Sequence, residues 1–121
     1  MLFIEAPAFT RHLLSHLTDD EYRRLQEALV GNPEAGVVMS GTGGFRKMRW
    51  ADPRRGKGTR GGLRIIYYHF ADEAQIWLMT LYGKDEVKDL TAADKRILKA
   101  AIHAEREARA GRRPTVRKRT R

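Results

Sequence analysis

The sequence contains no cysteine, and this absence excludes several kinds of site. A chain without thiols has no disulfide, no thiolate metal ligand and no cysteine nucleophile, which is typical of proteins in a reducing compartment. The sequence also lacks the run of about 18 apolar residues that a transmembrane helix needs. Because Glu5 interrupts the apolar N-terminus, we expect no signal peptide. We therefore expect a cytoplasmic protein with no membrane partner.

Carboxylates are scarce in two segments that are rich in cations. Residues 41–64 hold eight Lys and Arg against Asp52 alone, and residues 109–121 hold seven against none, so each segment carries +7. The whole chain carries +9, so the remaining residues sum to −5. Such segregated charge repels itself unless a polyanion neutralises it, and phosphate backbones are common polyanions in cells. The first segment therefore predicts nucleic-acid contact, whereas the second is equally compatible with a solubilising tail.

Two helices are predicted in the first third of the chain. Phe9, Leu13 and Leu17 have helical spacing, and Thr18-Asp-Asp-Glu21 is a capping box that begins the second helix. A glycine and a proline at 31 and 33 end that helix. Two short antiparallel helices are expected.

Strands and one further helix are predicted in the rest of the chain. Aromatic and β-branched residues predict strands at 45–50, 63–70 and 75–82, in addition to a short one at Leu2–Glu5. A capping box at 91–94 begins a last helix, which Gly111 ends. The order β-α-α-β-β-β-α indicates one α+β domain over residues 1–110, followed by a basic tail at 111–121 that we expect to be disordered.

In the predicted strand at 45–50, alternation of side chains separates the cations between the two faces. Lys47 and Arg49 point to one face, while Arg46 and Met48 point to the other. The glycine-rich segment that follows, residues 52–62, is expected to be a mobile loop. It adds four cations: Arg54, Arg55, Lys57 and Arg60.

Arg64 is the most unusual cation in the sequence because it lies among apolar residues in the predicted strand at 63–70. A guanidinium in such a strand requires a partner. One interpretation is a structural ion pair with Glu5 or Asp85. The other is a phosphate site that Arg64 shares with Lys47 and Arg49, and the neighbouring cations favour this second interpretation.

Four motifs, in this order, resemble a known family. They are Gly41-Thr-Gly-Gly44 followed by Phe-Arg-Lys-Met-Arg49, then Gly56-Lys-Gly with Arg60-Gly-Gly-Leu-Arg-Ile-Ile-Tyr-Tyr68, then Leu81-Tyr-Gly-Lys84, and last Asp89-Leu-Thr. Over residues 2–105 the chain is similar to the RelE/HigB superfamily of toxins from bacterial type II toxin–antitoxin systems, and in particular to its HigB-type branch. The resemblance implies a RelE-like fold, with a small twisted antiparallel sheet, two N-terminal helices on one face and a C-terminal helix.

The resemblance also implies an activity and a set of partners. Relatives are ribosome-dependent endoribonucleases (mRNA interferases) that cut mRNA in the ribosomal A site, beside 16S rRNA, without a metal or other cofactor. The ribose 2′-hydroxyl attacks the adjacent phosphate and leaves a 2′,3′-cyclic phosphate and a free 5′-hydroxyl. Growth inhibition is relieved by a cognate antitoxin, expected to be a HigA-like helix-turn-helix protein. Operator DNA would be contacted only through that antitoxin.

Matching the motifs residue by residue implies the roles of individual side chains. Lys47 and Arg49 match the family's cationic pair, and Arg64 matches its phosphate-binding arginine. Tyr82 and Lys84 match positions of stacking or proton transfer. These five residues are the predicted catalytic group. The predicted RNA-binding residues around them are Arg46, Arg54, Arg55, Lys57 and Arg60.

The residue that accepts the 2′-hydroxyl proton is open at this point. Lys47 qualifies if neighbouring cations lower its pKa, and Tyr82 qualifies if they stabilise its phenolate. His69 has a suitable pKa, but its side chain points away from that of Arg64, which favours a structural role. Two carboxylates are further candidates, Asp85 and Glu86. Some relatives have an arginine and a tyrosine where this chain has Asp85 and Thr91.

A metal site is not expected. His12 and His16 lie one helical turn apart, but no glutamate base or third ligand follows them. A different class of function also fits the charge pattern: a module that binds RNA or DNA without cutting it, or an inactive phage-derived relative of the toxins. Loss of cleavage on replacing Arg64 would distinguish a nuclease from a binding module, in which the same change weakens affinity only modestly.

Overall fold

The computed structural model describes residues 1–52, 62–87 and 89–112. Within these residues the chain forms three helices and five strands, and the predicted α+β class is confirmed. The elements in chain order are β1 (Leu2–Glu5), α1 (Pro7–His16), α2 (Asp19–Gly31), β2 (Val37–Val38), β3 (Arg46–Trp50), β4 (Leu63–Phe70), β5 (Gln75–Gly83) and α3 (Ala92–Arg112).

The strands form one sheet in the order β1-β5-β4-β3-β2. β2 to β5 pair antiparallel, but β1 runs parallel to β5, with Leu2 opposite Gln75 and Glu5 opposite Leu78. The sheet is therefore mixed, whereas the family resemblance implies an antiparallel one. The difference concerns an edge strand that no hairpin joins to its neighbour, and only a hairpin would force antiparallel pairing. The two-residue β2 was not predicted, since two valines are too short a pattern to show alternation.

The two N-terminal helices pack on one face of the sheet, as predicted. Pro7 occupies the first turn of α1, and the predicted capping box begins α2, because Thr18 Oγ1 accepts from the Glu21 N–H while Glu21 Oε1 accepts from the Thr18 N–H. Phe9 of α1 and Leu25 of α2 are fully buried in a core cluster with alternate residues of β4 and β5. This face of the sheet is structural.

α3 packs on the other face. Leu98 and Ile102 contribute to a second core cluster together with Ile66 and Tyr68 of β4. The helix continues to Arg112, one residue beyond the predicted end at Gly111. Positive φ angles occur among the described glycines only at residues 41, 43 and 44, so Gly111 does not form the left-handed cap that would end the helix. Residues 113–121 of the predicted tail lie outside the described part of the chain.

Candidate functional site

A hairpin turn sets the position of β3, the strand that carries two of the predicted catalytic residues. Gly41, Gly43 and Gly44 have φ angles of 79°, 79° and 115°, a region that favours glycine. Buried Thr42 fixes the turn, because its Oγ1 donates to the Met39 carbonyl at 2.7 Å and accepts from the Phe45 N–H at 3.1 Å. The Gly-Thr-Gly-Gly motif therefore has a structural function, which is to hold the start of β3 beneath α3.

Three of the predicted catalytic residues form a row across the sheet. Arg49 of β3 lies opposite Arg64 of β4, and Arg64 lies opposite Tyr82 of β5. Directly opposed residues of antiparallel strands project to the same face, with their Cβ atoms about 5 Å apart. Three side chains that are far apart in the sequence are thus neighbours on one surface. We call Arg49, Arg64 and Tyr82 the cross-strand row.

Lys47 extends the cross-strand row along β3. It precedes Arg49 by two residues, so both side chains are on the same face of the strand. Lys47 lies opposite Ile66, whose side chain belongs to the core beneath α3. The Lys47 Nζ atom is 3.8 Å from Asp89 Oδ1, in the segment before α3. Four of the five residues predicted to be catalytic are therefore on the α3 side of the sheet.

Arg64 is buried, with 5% of its surface exposed. Its Nη1 donates to the Leu63 carbonyl at 3.2 Å. The suggested structural ion pair with Glu5 does not form, since the two Glu5 oxygens accept hydrogen bonds from Thr10 and Tyr22 at 2.6 and 2.8 Å. A guanidinium keeps its charge when buried, and Arg49 places a second cation directly opposite. Two cations therefore face the same side of the sheet at this position.

Tyr82 is protonated at neutral pH. Burial raises its pKa, the carboxylate of Asp89 raises it further, and the cation of Arg64 lowers it less than these together raise it. The interpretation of Tyr82 as a phenolate base is therefore wrong, because burial and a nearby carboxylate outweigh the positive neighbour. A buried phenol of this kind is suited to donating a hydrogen bond or to stacking on a base.

Lys84 and Arg46 are outside the cross-strand row. Lys84 follows β5 with an exposed side chain, and its N–H donates to the Gly62 carbonyl at 3.0 Å, which joins the ends of two strands. Arg46 is on the opposite face, where it donates to the Gly36 carbonyl at 2.8 Å and lies 3.9 Å from a Glu34 oxygen. The structure does not bring Arg46 together with the row. The remaining predicted RNA-binding residues lie outside the described part of the chain: Arg54, Arg55, Lys57 and Arg60.

Two of the other candidate bases have structural contacts. His69 Nδ1 is 3.9 Å from Glu34 Oε2, on the face away from Arg64, as strand alternation predicts. Glu86 Oε1 accepts from the Gly83 N–H at 2.7 Å and is 3.5 Å from buried His16 Nε2. Within residues 1–52, 62–87 and 89–112, no three histidine or carboxylate side chains are grouped to hold a metal ion.

Two carboxylates near the cross-strand row were not among the predicted site residues. Asp89 is near both Lys47 and Tyr82, and Asp94 in the first turn of α3 is close enough to raise the pKa of Tyr82. Periodicity could not place Asp89, because it belongs to an irregular segment. The Asp89-Leu-Thr motif was the only signal at this position.

Arg109 has a different role from the one its position in the basic C-terminal segment suggested. It is 9% exposed, its Nη1 donates to Glu73 and Gln75 at 2.6 Å each, and its Nε donates to Glu105 at 2.8 Å. Its guanidinium also stacks on the Phe70 ring at 3.7 Å. Two cavities of about 450 and 460 Å³ flank this residue, roughly 20 Å along β4 from Arg64. This cation therefore belongs to the structural core of the domain.

No protein-family model matches the chain. In the part of the chain that the structure describes, every helix is too short or too polar to cross a lipid bilayer.

Proposed function

We propose that the protein is the toxin of a type II toxin–antitoxin module and acts in the cytoplasm as a ribosome-dependent mRNA endoribonuclease. The observation that carries this proposal is the direct opposition of Arg49 and Arg64 on the α3 face of the sheet. Two opposed cations with a third, Lys47, on the same face provide the positive charge that a phosphate in the transition state requires. The motifs that resemble the RelE/HigB family include all of these residues.

In the proposed reaction, which uses no metal, each side chain of the row has a role. Arg64 contacts the non-bridging oxygens of the scissile phosphate, since a planar guanidinium can bind two of them at once. Arg49 and Lys47 stabilise the additional negative charge of the transition state. The 2′-oxygen forms a bond to phosphorus as the bond from phosphorus to the 5′-oxygen breaks. Tyr82, which its raised pKa keeps protonated at neutral pH, donates a hydrogen bond to that departing 5′-oxygen, and a proton from solvent completes the 5′-hydroxyl.

The proton of the attacking 2′-hydroxyl leaves at the other edge of the row. There the Asp89 carboxylate, with Oδ1 3.8 Å from Lys47 Nζ, accepts the proton. Lys84, exposed at the end of β5, would contact a flanking phosphate. The proposed substrate is mRNA in the ribosomal A site, close to 16S rRNA. A HigA-like antitoxin would bind the toxin, and operator DNA would be contacted only through that antitoxin.

The raised pKa of Tyr82 favours a second candidate function. It removes the phenolate from the possible bases, and a sheet with cations but no effective base would bind RNA or DNA without cutting it. An inactive phage-derived relative of the toxins would have the same property. The two candidates differ in whether new RNA ends form.

The test is to map the 5′ ends of transcripts after brief induction of the wild type and of Arg64→Ala. We expect growth arrest and new 5′-hydroxyl ends with the wild type, and neither with the variant. Arg24→Ala removes an exposed cation from α2, on the opposite face of the sheet, and should act like the wild type. Circular dichroism and thermal unfolding establish whether both variants fold.

Two further results would decide between the candidates. Normal growth without new ends on induction of the folded wild type would refute the nuclease proposal and leave the binding module. Release of the arrest by co-expression of a neighbouring helix-turn-helix gene would support the toxin proposal. Arg64→Lys, which keeps the charge but not the bidentate geometry, should retain binding and lose most of the cleavage.

A further inference from the structure

A second basic surface lies on α3. Lys95, Lys99, His103 and Arg106 recur at intervals of three and four residues, so their side chains are on one side of the helix. Lys95 is partly exposed and the other three are exposed. Within the described residues, neither lysine nor Arg106 is in an ion pair with a carboxylate. We call these four residues the basic flank.

The charges of α3 are segregated between its two sides. At about 100° per residue, Lys95, Lys99 and Arg106 fall within about 40° of one another around the helix axis. Glu105 lies on the other side of the buried stripe, where it accepts from Arg109 at 2.8 Å and from Arg112 at 3.4 Å. Glu105 thus neutralises cations on that side, and Glu107, about 40° from His103, is the carboxylate of α3 next to the basic flank.

One side chain of the basic flank contacts an aromatic ring of the sheet. The Arg106 guanidinium lies 5.2 Å from the centre of the Tyr68 ring. A side chain that already packs in this way loses less conformational entropy when a ligand binds.

We infer that the basic flank is an RNA-binding surface and that its ligand is the phosphate backbone. Lys95 and Arg106 are about 16 Å apart along the helix axis, at 1.5 Å per residue, which is long enough to contact several phosphates. An acidic protein is a poorer match, because protein interfaces have an apolar centre and Ile97, the exposed apolar residue of α3, is about 160° or more around the helix from the two lysines.

The basic flank also continues from the cross-strand row. Tyr82 belongs to the same core cluster as Leu98 and Ile102 of α3, and Lys47 Nζ is 3.8 Å from Oδ1 of Asp89, in the segment before the helix, so α3 begins beside the row. An RNA strand that crosses the row can therefore continue along the helix. The inference goes beyond the proposed function, because the basic flank binds RNA whether or not the protein cleaves it.

The test uses the full-length protein and a single-stranded RNA of about 20 nucleotides in which every 2′-hydroxyl is methylated. This probe has no attacking hydroxyl, so binding is measured without cleavage. Lys95→Gln with Lys99→Gln is compared with Arg11→Gln with Arg24→Gln. The second pair removes the same charge from exposed positions on α1 and α2, on the opposite face of the sheet. All variants keep the C-terminal segment, and thermal unfolding confirms that each folds.

We expect the α3 pair to weaken RNA binding on the order of tenfold at low salt. The slope of log affinity against log salt should fall by about 1.4, since each phosphate contact on a single strand contributes about 0.7. The α1–α2 pair should change affinity less than twofold. Equal weakening by both pairs would overturn the inference, because net charge alone would then explain binding.

A second probe separates RNA from an acidic protein. If the α3 pair leaves RNA binding unchanged but abolishes binding of poly-glutamate, the ligand is an acidic polypeptide and the inference is wrong. The outcome is independent of the nuclease proposal. Cleavage by the Arg64→Ala variant tests the nuclease proposal. Binding of the methylated RNA tests the basic flank, because this RNA cannot be cut.

Discussion

Replacing Arg49 by glutamine should stabilise the fold while it impairs the proposed activity. Arg49 is exposed, makes no ion pair with a described residue and lies directly opposite the buried cation of Arg64. If the two charges are taken to be as far apart as opposed Cβ atoms, about 5 Å, they repel by about 0.8 kcal/mol in water, and physiological salt reduces this by about half. The result agrees with the range of roughly 0.2–1 kcal/mol for cross-strand pairs.

We therefore expect Arg49→Gln to raise the free energy of unfolding by about 0.5 kcal/mol, which corresponds to about 2 °C in Tm for a domain of this size. The gain should disappear near 1 M salt, where charges are screened within about 3 Å. Inorganic phosphate should raise the Tm of the wild type more than that of the variant, because only the wild type presents opposed cations to the anion. RNA cleavage should fall.

Arg46→Gln is the matched control, since Arg46 is on the same strand but the opposite face. Its hydrogen bond to the Gly36 carbonyl is 2.8 Å long, so its loss should cost about 0.5–1.5 kcal/mol. Urea unfolding of both variants at low and high salt measures these changes. If Arg49→Gln destabilises the protein as Arg46→Gln does, or if the gain in stability persists unchanged in high salt, Arg49 and Arg64 do not repel each other as predicted.

The remaining predictions concern Asp89 and the buried tyrosines. Asp89→Asn removes a carboxylate near Lys47 and Tyr82, so it should lower the pKa of Tyr82 in an ultraviolet titration and tighten binding of the methylated RNA about two- to fivefold; an unchanged tyrosine titration would contradict the placement of Asp89. Burial raises the pKa values of Tyr22, Tyr67 and Tyr82 above the unfolded value of about 10. Their contribution to stability is therefore complete below about pH 10 and is lost as the pH rises through the folded pKa values. Urea unfolding between neutral pH and pH 11 should show this loss, and Tyr82→Phe should reduce it; a flat profile would count against the burial of these phenols.

Local signals in the sequence predicted most of the helices and strands. The capping box at Thr18 and the one at Thr91 each act within one helical turn, and both form as expected. Alternation along a strand correctly separated Lys47 and Arg49 from Arg46, because side-chain direction depends only on parity. The position of Arg49 opposite Arg64, and of Arg64 opposite Tyr82, depends on strand register. Local sequence patterns do not determine that register.

Features that depend on contacts between distant segments were not predictable in this way. Arg109 was counted among the cations of the basic segment 109–121, yet its partners Glu73 and Gln75 are 36 and 34 residues away in the sequence. Asp89 lies in an irregular segment and is near Lys47 only because β3 and the segment before α3 meet at the sheet surface. The sequence therefore predicted the cations of the candidate site but not the carboxylate beside them.

The parallel pairing of β1 with β5 has a consequence for biosynthesis. β1 can pair only after residues 75–78 have been synthesised, because these residues form its neighbouring strand. The cross-strand row is likewise complete only when Tyr82 is present. Contacts of such long sequence separation form late in folding. A nascent chain consequently has an unpaired β1 and no assembled row until β5 has been synthesised.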